Sequence, residues 1–266
     1  MQLQTNKPQN NTTNLYSRTI MLLVLMFHQI VQQQNTADLT KFQTFLSDLK
    51  NHYSFSMPGK KLSPKLNICL TFDDAYFDFY HYIYPLLKTY KVPAVLGVPV
   101  NYIQESTQIP TAERLSLDYP QGMAQSKQKH CPLCTWNEID EMVQSGLVIP
   151  ASHSLTHPNM NSLKTKALTQ EIVESKNVLT ERLNYPVDTF IYPYGKGDRE
   201  VQKQTAQHYK YTMRIGSAVN IIKTWEQNPL LYRINADLWW KPERTIRTAK
   251  LLPAIIKYHI NTWRNK

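Results

Sequence analysis

Residues 67–74 read Asn67-Ile-Cys-Leu-Thr-Phe-Asp73-Asp74, a short apolar run that ends in two adjacent carboxylates. A run of this length and composition is typical of a buried β-strand. Similar apolar runs that contain β-branched residues occur at 20–27, 92–100, 147–151, 187–192, 209–215 and 230–235. Periodic helical segments fall between several of these runs, so the order of elements alternates and predicts a parallel sheet.

Three of the helical segments have clear sequence signals. One carries an apolar face made of Leu39, Phe42, Phe45, Leu46 and Leu49. Thr135 and Glu138 have the spacing of a capping box, which predicts a helix beginning just after Thr135. A longer helix is predicted over 168–183. A terminal helix is predicted over 243–263, with an interruption at Pro253 because proline cannot donate a helical hydrogen bond.

The alternation fits both an open sheet and a closed barrel, and the polar motifs favour the barrel. They fall at the ends of four different runs: His28, Asp73-Asp74, His153 and Tyr192-Pro-Tyr-Gly195. In α/β barrels, catalytic residues lie on loops beyond the carboxyl ends of several strands. We therefore predict one barrel domain over 19–266, a disordered tail over 1–18, and a long loop insertion of about 34 residues from Asn101 to Cys134 that covers the site or binds a partner.

Composition limits the function classes. With 266 residues, 42% of them hydrophobic, the chain can bury one large core, and a mean hydropathy of −0.45 excludes a polytopic membrane protein. The formal charge of +10 favours anionic partners. No nucleic-acid motif accompanies the basic residues, so we expect no nucleic-acid partner and interpret the charge as a solvated basic face. It is densest at Lys241, Arg244, Arg247, Lys250, Lys257 and Arg264.

The first apolar run begins only at Ile20 and is too short to span a bilayer, so no signal peptide or transmembrane segment is predicted. We expect a cytoplasmic or membrane-peripheral protein.

Three cysteines cannot all pair within the chain, which excludes a disulfide scaffold. Cys131-Pro-Leu-Cys134 is a lone CxxC motif that we interpret as two ordinary thiols, with a structural zinc or redox role as the alternative.

The residues at the strand ends suggest hydrolytic chemistry at a metal ion. Side chains alternate along a strand, so Asp73 and Asp74 diverge and can do different jobs: one carboxylate can bind a metal while the other accepts a proton. Ser152-His153-Ser-Leu-Thr-His157-Pro158 places two imidazoles four residues apart. Pro158 and the preceding apolar run indicate a loop, and the motif lacks the glutamate of zinc protease helices. Asp73 is the available general base, and two histidines plus one carboxylate leave metal positions open.

Three motifs together resemble those of the polysaccharide deacetylase family, the nodulation-factor deacetylase homology domain: Thr71-Phe-Asp-Asp74, His153-Ser-Leu-Thr-His157 and Tyr192-Pro-Tyr194. The resemblance spans about residue 20 to at least 215. It implies a distorted (β/α)7 barrel that removes acetyl groups from N-acetylated sugars. It also implies that Asp73 is the base, that Asp74, His153 and His157 bind zinc or a similar divalent ion such as cobalt or nickel, and that the Tyr194 backbone N–H stabilises the oxyanion.

The chain departs from the commonest family pattern at two points. Tyr192 stands where an arginine is usual, and no late Leu-x-His motif with the general acid is evident after residue 215. The chain is more similar here to the poly-β-1,6-N-acetylglucosamine deacetylase subgroup, which has a Tyr-Pro-Tyr-Gly motif and an early acid histidine. Met26-Phe-His28 resembles that early motif, which implies that His28 is the general acid. Arg233, with Asp237 nearby, is our candidate for tuning Asp73; the alternative is a surface arginine.

The predicted function is metal-dependent hydrolysis of an acetamido group on an N-acetylated glycan or glycolipid, releasing acetate and a free amino sugar. Two alternatives stay open: a lipid-linked or nucleotide-linked acetamido sugar as substrate, and a catalytically inactive barrel that binds glycan. Peripheral membrane association is compatible with the charge, although many relatives are exported. Trp239-Trp240 could stack on sugar rings or pack the terminal helix onto the barrel.

Overall fold

The computed structural model describes residues 20–32, 34–64, 66–116, 131–226, 230–237 and 252–264. The predicted tail over 1–18, the Trp239-Trp240 pair and the predicted helical residues 243–251 lie outside these ranges. Residues 19–266 as one domain therefore stay a prediction. Among the described residues, no helix has the length and apolarity that crossing a membrane requires.

Seven parallel strands form a closed barrel, as the sequence predicted. Each corresponds to one of the seven apolar runs, and β1 pairs with β3 to close the ring. The strands of the barrel are β1 Ile20–Phe27, β3 Asn67–Phe72, β4 Ala94–Val98, β5 Val148–Ser152, β6 Thr189–Ile191, β7 Tyr211–Ile215 and β9 Leu230–Asn235. Continuous apolar runs suit these strands, because the barrel interior and the helices cover both of their faces.

Two short strands extend the barrel and were not predicted. β2 (Ser54–Phe55) pairs in parallel with β3, and β8 (Asn220–Ile222) pairs antiparallel with the first residues of β1. Both are too short to produce a sequence pattern. They widen the sheet beside β3 and β1 without entering the ring.

Helices cover the outside of the barrel. They are α1 Thr36–His52, α2 Tyr84–Tyr90, α3 Thr111–Arg114, α4 Trp136–Gln144, α5 Thr165–Leu183, α6 Arg199–Thr205 and α7 Leu252–Arg264, and a π-helical turn over Phe79–Ile83 leads into α2. The capping box that begins α4 is confirmed, with the Thr135 side chain and Glu138 each bonded to the other's backbone N–H. Pro253 is the second described residue of α7, and the residues before Leu252 lie outside the described ranges.

Two apolar clusters reflect the alternation of side chains along the strands. Leu23, Leu25 and Phe27 point outward and pack with the helices. Leu22 and Val24 point inward, where they meet inward-facing side chains of the other barrel strands: Cys69, Val95, Ile149, Ala151, Ile191, Met213 and Leu231. Asp73 lies four residues after Cys69, and His153 lies two residues after Ala151. Arg233 likewise lies two residues after Leu231. An even number of residues along a strand returns to the same side, so all three belong to the inward side. The strand register therefore aims these three side chains into one end of the barrel.

Candidate metal centre and active site

Backbone hydrogen bonds continue past the strand ends and align the catalytic candidates on one rim. Asp73 N–H donates to Phe27 O at 2.8 Å, His153 N–H to Val98 O at 3.0 Å, and Ala236 N–H to Met26 O at 2.8 Å. The loops that follow neighbouring strands are thus hydrogen-bonded to one another at the carboxyl ends of the strands. This is the end of an α/β barrel at which catalytic residues collect.

Asp74, His153 and His157 form a cluster with the dimensions of a metal site. Asp74 Oδ1 lies 3.4 Å from His153 Nε2 and 3.3 Å from His157 Nε2, and the two Nε2 atoms are 3.2 Å apart. Ligand atoms on a tetrahedral zinc ion with bonds of about 2.0–2.1 Å are separated by about 3.3–3.4 Å. Asp74 Oδ1 is buried without a hydrogen-bond partner. The three donor atoms therefore converge as a divalent cation requires.

The local backbone turns Asp74 toward the two imidazoles. Asp74 and the following Ala75 adopt left-handed conformations, with φ of 68° and 51°. Such a conformation is uncommon outside glycine, although aspartate tolerates it better than most residues. It separates the two neighbouring carboxylates, so that Asp73 and Asp74 face different partners. Burial opposes ionisation of Asp74, but His153 and His157 outweigh it and lower the pKa of this carboxyl.

Contacts outside the cluster orient both imidazoles. His153 Nδ1 donates to Ile191 O at 2.8 Å, so its Nε2 lone pair points to the cluster. The His157 backbone, with φ of 54°, is held by a 2.9 Å hydrogen bond from its N–H to Ser154 Oγ. Burial and the neighbouring His153 lower the pKa of His157 to about 4. The imidazole is therefore neutral at ordinary pH, which is the form that binds metal.

Glu171 was not predicted and stabilises the loop that carries both histidines. This buried side chain of α5 accepts hydrogen bonds from the backbone N–H groups of Leu155 and Thr156 at 2.8 and 2.9 Å. The Thr156 hydroxyl donates to its other oxygen. A helical glutamate in an otherwise apolar stripe is the only sequence signal, and that signal does not specify its partners.

Asp73 is paired with Arg233. Both side chains are buried, and the guanidinium donates to the two carboxylate oxygens at 2.6 and 2.9 Å. It also donates to Thr71 Oγ1 at 3.2 Å. The surface alternative for Arg233 is therefore wrong. Burial alone would raise the pKa of Asp73, but the Arg233 charge outweighs it and lowers the pKa to about 2. Asp73 Oδ2 lies 4.0 Å from His153 Nε2, beside the metal cluster.

His28 lies on the loop directly after β1 and is bound by Asp237. Its backbone N–H donates to Asp237 Oδ1 at 2.8 Å, and its Nδ1 is 3.0 Å from Asp237 Oδ2. Burial opposes a charged imidazole, but the Asp237 hydrogen bond and the charges of Asp73, Asp237 and Asp74 raise the pKa of His28 to about 9. The sequence placed Asp237 only near Arg233, and the pairing with His28 was missed.

Asp78 is a second missed carboxylate, and it connects two of the site loops. One oxygen accepts the backbone N–H groups of Ile30 and Val31 at 2.7 and 3.1 Å, and the other is buried without a partner. Burial raises the pKa of Asp78 to about 7. Asp78 follows Asp74 closely in the chain, and Ile30 follows His28. Asp78 thereby fixes the spacing between these two loops.

Tyr194 lies at the mouth of the site. Its backbone φ is 56°, and its ring centroid is 4.9 Å from that of His157. The ring is largely exposed, so it forms part of the rim. The adjacent Gly195 is required here, since its φ is +62° and a Cβ atom would lie 2.2 Å from Ile215 Cγ1. The Tyr-Pro-Tyr-Gly turn is thus fixed by close backbone packing against β7.

The CxxC cysteines lie away from any third ligand in the described part of the chain. Cys131 and Cys134 are buried free thiols, and burial raises the pKa of both. The cluster of Asp74, His153 and His157 is the one metal-type grouping among the described residues. Two ordinary thiols therefore stays our interpretation of Cys131 and Cys134, with a structural zinc or redox role as the alternative.

Comparisons with known proteins agree with this architecture. The chain is 26% identical over 156 residues to the Bacillus subtilis protein YxkH, which is named as a polysaccharide deacetylase. The match covers 59% of this chain and 46% of YxkH. This chain therefore spans less than half of the length of that relative. Among solved structures, the deacetylase PplD of Streptococcus pyogenes superposes with a TM-score of 0.61 at 22% identity, covering 82% of this chain and 92% of that one.

IcaB from Ammonifex degensii superposes with a TM-score of 0.60 at 18% identity, covering 92% of this chain and 97% of that one. At these identities the solved structures show a shared fold. The family model for polysaccharide deacetylases matches residues 60–213, a range that contains the metal cluster, Asp73 and Tyr194. With more than half of its length matched by that model, the chain belongs to the polysaccharide deacetylase family.

Proposed function

We propose that the protein is a metal-dependent N-deacetylase that hydrolyses the acetamido group of an N-acetylated carbohydrate, releasing acetate and a free amino sugar. The observation that carries the proposal is the convergence of Asp74 Oδ1 and the two imidazole Nε2 atoms at 3.2–3.4 Å, with the carboxylate oxygen buried and unpartnered. A barrel that only binds glycan has no need of three lone pairs that converge on one point. This disfavours the inactive alternative.

Asp74, His153 and His157 would hold the cation, and zinc suits a set of two nitrogens and one carboxylate oxygen. Cobalt or nickel would fit the same ligand set. When bound, the ion supplies Lewis acidity toward a carbonyl oxygen and lowers the pKa of a water. No further protein ligand is needed, which leaves room for substrate and water.

Asp73 acts as the general base in this proposal. Arg233 keeps the carboxylate ionised and fixes its plane with two hydrogen bonds, so it is ready to accept a proton from the attacking water. The same contact makes Asp73 a weaker base than a free carboxylate, because it lowers the pKa of Asp73 to about 2. A cation held by Asp74, His153 and His157 would therefore assist Asp73 by making the water more acidic.

His28 acts as the general acid and donates a proton to the leaving amine nitrogen. Asp237 binds Nδ1, and we assign the proton transfer to Nε2, the other ring nitrogen. The raised pKa of His28, about 9, keeps the imidazole protonated at neutral pH, as an acid requires. The Tyr194 backbone N–H donates to the oxyanion that develops on the acetyl carbonyl.

Acetate release from N-acetylglucosamine oligomers tests the proposal. Chelated protein is expected to be inactive and to recover with zinc, cobalt or nickel. Asp74→Ala and His153→Ala should lose both bound metal and activity, whereas His52→Ala, on the exposed end of α1, is the matched control and should lose neither. Activity that survives both chelation and Asp74→Ala would exclude the metal role.

A second experiment separates the acid from the metal. His28→Ala should nearly abolish turnover while metal content, measured by elemental analysis, stays at the level of the unmodified protein. An active His28→Ala protein would show that another group protonates the amine. Lipid-linked and nucleotide-linked acetamido sugars, assayed beside the oligomers, would identify the substrate class.

A further inference from the structure

The outward side of α7 carries an unusual concentration of exposed apolar side chains. Four large apolar residues are exposed among the described residues, and three of them lie on this helix: Ile256 is 54% exposed, Ile260 44% and Trp263 76%. The spacing of four and then three residues places them on one face of a helix. Isolated apolar residues on a surface are ordinary, but a contiguous stripe indicates an interaction site.

The opposite side of α7 is fixed to the barrel. Ala254 and Ile255 pack against the core, and Asn261 Nδ2 donates to Gly216 O at 2.9 Å. The Tyr258 hydroxyl donates to Ile221 O, also at 2.9 Å. The helix is therefore docked in a defined orientation. Its apolar stripe faces away from the protein and contributes no residue to the active site.

Charge identifies the kind of surface that this stripe fits. Lys257 and Arg264 are exposed beside it, and residues 252–264 contain no acidic residue. The 14 residues before α7 in the sequence carry four basic residues and one acidic residue, and the whole chain has a charge of +10. A second copy docked on the same face would bring the positive charges of Lys257 and Arg264 close to their counterparts. An anionic surface with an apolar interior is complementary to both features.

We propose that the outward face of α7 docks onto anionic lipid headgroups, with Ile256, Ile260 and Trp263 inserted at the boundary between headgroups and acyl chains. A tryptophan at the end of an apolar stripe suits this boundary, because its ring is apolar and its N–H is polar. Basic residues beside the stripe add attraction to anionic lipids. This surface is separate from the deacetylation site, and its test does not depend on that activity.

Vesicle binding by the full chain tests the proposal. Phosphatidylcholine vesicles with and without phosphatidylglycerol are sedimented with the protein at increasing salt concentration. Binding is expected only with phosphatidylglycerol present, and it should weaken as salt rises. Replacing Ile256, Ile260 and Trp263 together by serine should weaken binding about tenfold or more. All three side chains are exposed, so the thermal midpoint and acetate release from soluble oligomers should stay unchanged.

Two controls locate the contact. Lys257→Gln with Arg264→Gln should weaken binding at low salt more than Lys164→Gln with Lys166→Gln, which removes the same charge from the exposed start of α5. In the unmodified protein, vesicle binding should shift the tryptophan fluorescence to shorter wavelength as Trp263 enters the lipid. Trp263→Phe should still bind vesicles but should lose most of this blue shift.

Three results would overturn the proposal. The first is no binding to phosphatidylglycerol vesicles at low salt. The second is a triple serine variant that binds as tightly as the unmodified protein. The third is a protein dimer, detected by light scattering, that the triple variant converts to monomer, since this would make a second copy the occupant of the face.

Discussion

Replacing Asp237 by asparagine should change the pH range over which the protein is active. Asp237 binds both the backbone N–H and Nδ1 of His28, and it is the main favourable contribution to the raised pKa of about 9. Asparagine keeps the size and can still accept the backbone hydrogen bond, but it carries no charge. The substitution therefore destabilises the protonated form of His28 while the imidazole ring stays in nearly the same position.

The size of the effect follows from the strength of the lost contact. A hydrogen bond to a charged group contributes about 1.5–3 kcal/mol, which corresponds to about 1–2 pKa units. The pKa of His28 should therefore fall by about 1–2 units. On the alkaline side of both pKa values, activity should fall about ten- to a hundredfold. Well below both pKa values the loss should be less than about twofold.

The assay is acetate release measured from pH 6 to pH 10 for both proteins, with the alkaline limb of kcat fitted in each case. A bound cation lowers the pKa of His28 in both, so the difference between the two limbs is the informative quantity. Identical alkaline limbs would show that Asp237 does not tune His28, or that His28 is not the acid. An equal loss of activity at every pH would show that Asp237 only positions the ring.

Two further substitutions test the buried ion pair between Asp73 and Arg233 and the turn at Gly195. Arg233→Met leaves Asp73 as an unpaired buried carboxylate, so urea denaturation should show a loss of about 3–5 kcal/mol at neutral pH. Because the Asp73 pKa is then no longer lowered, the stability difference should shrink as acid protonates the carboxyl; an unchanged difference at low pH would contradict this pairing. Gly195→Ala places a Cβ atom against Ile215 and should cost about 1–3 kcal/mol and reduce kcat. Gly146→Ala is the matched control, because its φ of +71° is similar but nothing lies within 4 Å of the added atom, and it should cost about 1 kcal/mol.

The barrel could be predicted from the sequence because each of its strands is an apolar run covered on both faces. The predicted bounds were too wide where flanking apolar residues are buried outside the strand, as at 92–100 against Ala94–Val98. The π-helical turn over Phe79–Ile83 was missed, since a crowded run of aromatic residues has no clear helical period. The strands of two and three residues were too short to detect.

The site was predictable where motifs are local and less so where partners come from distant strands. Asp73, Asp74, His153 and His157 stand out in short segments. Arg233 could be proposed only as a candidate cation, although the alternation from Leu231 places it inside the barrel. The contact between His28 and Asp237 joins residues 209 positions apart. It depends on the register of β1 against β9, which no local pattern specifies.

Arg114 anchors both ends of the connection formed by residues 117–130, which makes this connection a suitable place for insertions. Arg114 is buried, its guanidinium centre lies 3.4 Å from the Phe77 ring centroid, and it forms an ion pair with Glu138. Its Nε donates to Cys131 O at 2.9 Å, so this single side chain joins the two positions between which residues 117–130 run. Closing a longer connection between anchored ends costs little, since the entropy grows only with the logarithm of length. Lengthening the connection between Ser116 and Cys131 should therefore cost little folding free energy, because Arg114 holds both of its ends.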